Sequence, residues 1–213
     1  SFPAVAGGGN GLCVSQNLVD TYRMRNGMDI NEAGSGYPDP TEAWKPIGGG
    51  GKTFSNYQLS SQVAKMYDNR EMRFYATIVF NYCYREASSY TGTAANNKNF
   101  YQTFYKDSPF AAWSDYPNDK SFSGYNCIKY CHPSDKPGNG GTVRSKYFPL
   151  IRYAEVLLNY VEAMNEMEGS YTDHENNITV TRNPAEMVKY FNMIRYRAGL
   201  PGITLADAAD KAK

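Results

Sequence analysis

Few residues here have the type and spacing to do chemistry. Gly48-Gly49-Gly50-Gly51-Lys52-Thr53 invites a phosphate-cradling reading, which needs G-x-x-x-x-G-K-[ST] between a buried strand and a helix. The first glycine of that spacing is Pro46, the preceding DPTEAWK is no buried strand, and FSNYQLSS beyond it carries little helical signal. The run reads as a flexible loop. Cys127, Cys131 and His132 invite a zinc reading, but a structural zinc site draws on two ligand pairs. The other cysteines, Cys13 and Cys83, are single and distant, and His174 is isolated. Packed thiols account for them, as does a Cys127–Cys131 bridge in an exported chain.

Hydrolytic chemistry fares no better. No serine sits in a G-x-S-x-G elbow, and two histidines leave little room for a nucleophile with its base. Glu155 and Glu162 share one helix face at roughly 10 Å along the axis, a separation within the reach of glycosidase carboxylates. They lie beside Arg152 and Asn159, and a solvated polar face explains them better. Asp115, Asn118 and Asp119 could contact calcium but lack the ligand spacing of a loop site, so no cofactor is implied. Asn177-Ile178-Thr179 is a glycosylation sequon, meaningful only in a eukaryotic secreted protein.

What remains is the aromatic content of the loops. Tyr37 and Trp44 lie in one Gly/Pro-rich stretch, and Tyr90, Tyr105 and Trp113 lie in the next. Sugar rings stack C–H faces on aromatic faces while their hydroxyls seek Asn, Asp or Lys, so loop aromatics are candidate glycan contacts. A protein interface, where Trp and Tyr are also enriched, is the competing reading.

These residues must be positioned by a chain of 213 residues with 19 tyrosines, 10 phenylalanines, 19 glycines and 11 prolines. A net charge of +1 gives no basic face for nucleic acid. No apolar run reaches the roughly 18 residues of a membrane-spanning helix, and SFPAVAGGGN shows neither the basic nor the apolar region of a signal peptide. The pattern divides the chain into a loop-rich portion, 1–147, that presents ligand, and a helical hairpin with its tail, 148–213. In the first portion, Val14–Arg25 reads as a short helix stopped by Asn26-Gly27, residues 31–56 as a long loop, and Arg73–Tyr84 as a strand rich in β-branched and aromatic residues. Gly124–Tyr130 is a second short strand. In the second portion a helix is expected from a first-turn Pro149 through Glu168. It is apolar on two sides, with Ile151, Ala154, Leu158 and Val161 on one and Tyr153, Leu157, Tyr160 and Met164 on the other. Asn183-Pro184-Ala185-Glu186 supplies an N-cap, a first-turn proline and a capping-box glutamate for a second helix, which Gly199 ends. One such pair looks like a single tetratricopeptide-type unit, which normally stacks in groups of three or more.

RYAEVLLNYVEAMNE at Arg152–Glu166, followed by YFNMIRYRAGLP at Tyr190–Pro201, resembles the most characteristic segment of the SusD/RagB family. SQNLVDTYRMRNGMDI at Ser15–Ile30, DNREMRFYATI at Asp68–Ile78 and GYNCIKY at Gly124–Tyr130 resemble further family segments in the family's order. Two departures stand out: Ser15 replaces the family's proline before the glutamine, and Asn69-Arg70-Glu71-Met72-Arg73 replaces its Asp-Pro-Arg element. The resemblance implies that the family's N-terminal region and its closing segment lie outside this chain, the first with a signal peptide, a lipidated cysteine and the first helices.

The resemblance further implies a mainly α, SusD-like fold, with tetratricopeptide-like helix pairs plus a loop-rich portion with short strands. It implies a surface-exposed outer membrane lipoprotein that binds oligo- or polysaccharide without catalysis and caps a SusC-like TonB-dependent transporter. Any membrane attachment would run through an N-terminal lipid anchor absent from this chain. Peptide binding, or service mainly as a docking lid for the transporter, is the alternative. Since ligand residues vary within the family, only the idea of loop aromatics carries over: Trp44 and Trp113 first, then Tyr37 and Tyr90.

Overall fold

The computed structural model describes residues 13–49, 51–52, 57–86, 99–104, 121–132, 134–135 and 142–210. The chain forms two compact units, 1–146 and 147–213.

The first unit is built from short pieces around an aromatic core. Helix α1 (Gln16–Asp20) is capped by the Ser15 hydroxyl, which accepts the Leu18 N–H. It stops well before the expected Arg25, and Gly27 turns the chain at φ 85°. Strand β1 (Gly51–Lys52) pairs antiparallel with β2 (Gln58–Leu59). A 3₁₀ turn at Lys65–Tyr67 leads into α2 (Met72–Thr77) and β3 (Ile78–Val79). β4 (Tyr84–Glu86) pairs with β5 (Asn99–Tyr101), and β6 (Asn126–Cys127) pairs with β3 in the register Ile78↔Cys127.

The expected strand at Arg73–Tyr84 therefore begins as a helix, for a geometric reason. Adjacent strand residues point to opposite faces, so Phe74 and Tyr75 could not both enter one core. A single helical turn sends both inward, and they are 0% and 3% exposed. Phe74 stacks on Phe80 at 5.1 Å, and Tyr67 lies 4.6 Å from Phe80 and edge-on to Tyr125 at 6.0 Å. Each fully buried ring contributes about 1.5–3 kcal/mol. Hydroxyls are satisfied as they go in: Tyr75 donates to the Tyr67 carbonyl, and the Tyr67 and Tyr125 hydroxyls share a 2.7 Å bond.

In the second unit, α3 (Tyr153–Glu166) starts four residues after Pro149, with Arg152 extended as its N-cap and its carbonyl accepting from Glu155 and Val156. The GSYTD stretch forms a hairpin, β7 (Ser170–Asp173) against β8 (Ile178–Thr181). Helix α4 (Pro184–Arg197) begins as its sequence dictates, with Asn183 Oδ1 accepting from the Ala185 and Glu186 N–H groups. The Glu186 carboxylate does not close the expected capping box and instead accepts from the Tyr160 hydroxyl of α3, which raises that phenol's pKa to about 12. Gly199, at φ 73°, ends α4 while Leu200 N–H reaches the Arg195 carbonyl and Gly199 N–H that of Tyr196, a Schellman closure. Helix α5 (Leu205–Ala209) follows, with a complete capping box between Thr204 and Asp207. α3 packs on α4 and α4 on α5, burying Leu157, Met164, Met187 and Ala208. No helix among the described residues is long and apolar enough to cross a membrane.

Candidate functional site

The turn that carries Trp44 is fixed before any ligand arrives. Asp39 starts it: its Oδ1 accepts from the Thr41 N–H and hydroxyl, and its carbonyl accepts from Glu42 and Ala43. The turn is then laced to residues 61–66. Lys65 N–H donates to the Lys45 carbonyl, Met66 N–H to the Ala43 carbonyl, Ile47 N–H to Val63 and Gly48 N–H to Ser61. Ala43 and Val63 are buried beneath this lacing.

Trp44 stands on top, 69% exposed. Beside it in sequence, the Glu42 carboxylate takes a hydrogen bond from each of two lysines, Lys45 and Lys65, the second at 2.8 Å. Those two bonds hold the Glu42 carboxyl down to about 2. The result is a large exposed aromatic surface flanked by charged donors and an acceptor, held on a backbone with little freedom. Glu42 and Lys45 are neighbours in sequence, but Lys65 joins them only through the fold, and no local spacing announced it.

Tyr37 sits differently. Its ring packs against the aromatic core, and the Arg70 guanidinium lies over it at 5.7 Å from the centroid. Burial raises its phenol pKa. Tyr37 thus supports the base of the loop, with one ring face already engaged. Trp113, Tyr90 and Tyr105 lie outside the described residues, as do Asp115, Asn118 and Asp119.

Arg70 was invisible as a key residue in the sequence. It is 0% exposed and donates to the carbonyls of Met66, Val19 and Tyr22 at 3.2, 2.7 and 2.7 Å. It thereby collects carbonyls at the end of α1, where the helix dipole favours a cation. Beside it, buried Glu71 accepts the Arg23 N–H and a two-pronged contact from Arg73.

The other chemical candidates resolve into scaffold. Cys127 and Cys131 form no disulfide. His132 Nδ1 is engaged by Ser134, and the His132 N–H donates to Asp135. Among the described residues no three His, Cys, Asp or Glu side chains gather as a metal site. Glu155 and Glu162 are both exposed.

Comparison with known proteins supports the family. No curated protein matches the sequence. Among solved structures, the selenomethionine form of the BT4246 protein is similar at a TM-score of 0.66 and 20% identity, over 92% of this chain and 29% of that one. A SusD-like protein, BF3747 from Bacteroides fragilis NCTC 9343, is similar at a TM-score of 0.54 and 26% identity, over 92% of this chain and 30% of that one. The chain spans under a third of the length of these structures, and its fold is SusD-like and mainly helical. The sequence matches the SusD family over residues 3–213, so the chain belongs to that family.

Proposed function

We propose that this chain is part of a non-catalytic, glycan-binding component of a SusC/SusD-type outer membrane uptake complex. Trp44 would supply the stacking face and Glu42, Lys45 and Lys65 would meet sugar hydroxyls. The observation that carries this reading is the exposed indole of Trp44 on a turn pinned by four backbone hydrogen bonds to residues 61–66. An apolar group left in water on a preordered backbone needs little further ordering to bind, which is where affinity is usually lost. Trp113 and Tyr90 are candidate companions, and Tyr37 would act from below as support. The family further supports a lipid-anchored, surface-exposed protein beside a SusC-like TonB-dependent transporter.

Calorimetric titration against a panel of soluble polysaccharides, with each mixture checked for released sugar, tests the reading. Binding without release supports capture. Binding with accumulating product sugars would replace it with an enzyme.

One observation favours the second reading, in which the chain serves mainly as a docking lid or takes peptide. Tyr147, Phe148, Leu150 and Ile151, which lead into α3, are 91, 70, 98 and 73% exposed. A contiguous apolar run of this kind marks an interaction surface. Co-purification with a transporter but no response to any glycan would favour that reading.

A further inference from the structure

The second unit contains a groove of about 320 Å³ between α3 and α5, floored by Met187 and Phe191 of α4. Val161 and Ala208 give it apolar walls. Its acids stand on both banks: Glu162 on α3, and Asp207 and Asp210 at α5. Glu162 and Asp210 are exposed. The cation printed against groove residues is Arg182, whose guanidinium donates to Asn165 Oδ1 and the Ala208 carbonyl at 2.9 Å each. Three carboxylates therefore face one guanidinium across an apolar floor.

We infer that this groove docks a basic amphipathic helix. Two apolar side chains of the partner, one turn apart, enter between the banks, and its Lys or Arg residues reach the acids on either side. Side chains at i and i+4 are separated by about 6 Å along a helix axis. The α3 bank from Leu158 to Asn165 runs about 10 Å at 1.5 Å per residue, long enough to receive that pair. The apolar floor supplies the driving force, and the charge on the banks chooses the partner. An acidic helix of the same apolar pattern would bring like charges together and strip water from carboxylates that gain no partner.

The test titrates the intact protein into a labelled peptide of about 15 residues, long enough for marginal helicity, with leucines at i, i+3 and i+4 spacing and lysines elsewhere. A twin peptide carries glutamate at every lysine. The lysine peptide should bind, with the twin at least about tenfold weaker. Glu162→Gln and Asp210→Asn should each weaken the lysine peptide about two- to fivefold, the scale of one exposed ion pair, and nearly additively together. Glu162→Lys combined with Asp210→Lys should turn the preference toward the glutamate twin. Both positions are exposed, so circular dichroism and the unfolding midpoint should stay unchanged. Equal binding of both peptides means the groove takes any apolar occupant, which overturns the inference. So does no binding of either peptide, or lysine-peptide binding that the charge variants leave untouched.

Discussion

The guanidinium carbon of Arg70 lies 5.7 Å from the ring centroid of Tyr37, and 5.0 Å from that of Phe74. One buried cation thus touches both the aromatic core and the loop that leads to Trp44. Its N–H groups also gather carbonyls from Val19, Tyr22 and Met66. Core, first helix and ligand loop meet at a single side chain.

Arg70→Met should therefore destabilise the protein by about 3–5 kcal/mol, because it leaves several buried carbonyls without donors. Methionine keeps most of the volume, so the loss isolates the polar contacts from a cavity effect. Urea unfolding followed by tyrosine fluorescence measures it. A change under about 1 kcal/mol would mean water replaces the guanidinium at those carbonyls.

Trp44→Ala should separate binding from stability. The indole is mostly in water, so unfolding should shift by less than about 0.5 kcal/mol. Affinity for a glycan identified by calorimetry should fall by about 1–3 kcal/mol, taking aromatic stacking on nucleic-acid bases as the scale. Trp44→Phe should recover part of it. Unaltered affinity in Trp44→Ala would move the site elsewhere in the chain.

Acid sensitivity should concentrate at Asp135. Burial by itself would raise this carboxyl, but the Lys146 ammonium at 2.5 Å and the His132 and Arg144 N–H groups outweigh that and hold it at about 2. A carboxyl depressed in the folded state gives stability that is present above its unfolded value of about 3.9 and is lost as pH falls through about 2. Asp135→Asn should lower stability at neutral pH by about 2 kcal/mol, the scale of a charge-assisted hydrogen bond. It should also flatten the acid limb of the stability profile between about pH 4 and pH 2. An unaltered acid limb would assign that loss to other carboxylates.

The start of α4 was legible because its signals are local: Asn183, Pro184 and Gly199 act within a turn of themselves. Residues 72–77 misled because β-branched and aromatic content reports burial as much as strand, and only the shared core of Phe74 and Tyr75 decides between them. The 170–181 hairpin was missed because its strands are short and exposed on both faces, so no apolar alternation marks them. Trp44 was legible as a candidate by residue type and loop context. Its lysine neighbour from position 65, and the role of Arg70, depend on contacts 23 to 51 residues apart, which no local pattern encodes.

The link between α4 and α5 offers the sharpest structural test in the second unit. Asn192 is 6% exposed, and its amide works in both directions on one residue: Nδ2 donates to the Ile203 carbonyl at 3.0 Å and Oδ1 accepts the Ile203 N–H at 2.7 Å. Asn192→Leu preserves size but removes both partners, which should cost about 1–3 kcal/mol for each backbone group left buried and unpaired. Gly202 is the neighbour that lets this bond form. A Cβ there would come within 2.5 Å of the Tyr196 hydroxyl and 2.8 Å of Asn192 Nδ2. Gly202→Ala should push the amide off Ile203 and reproduce much of the Asn192→Leu loss. Because both act on one contact, the double variant should be clearly less destabilised than the summed singles. Full additivity in thermal unfolding would show that the glycine and the asparagine serve separate purposes.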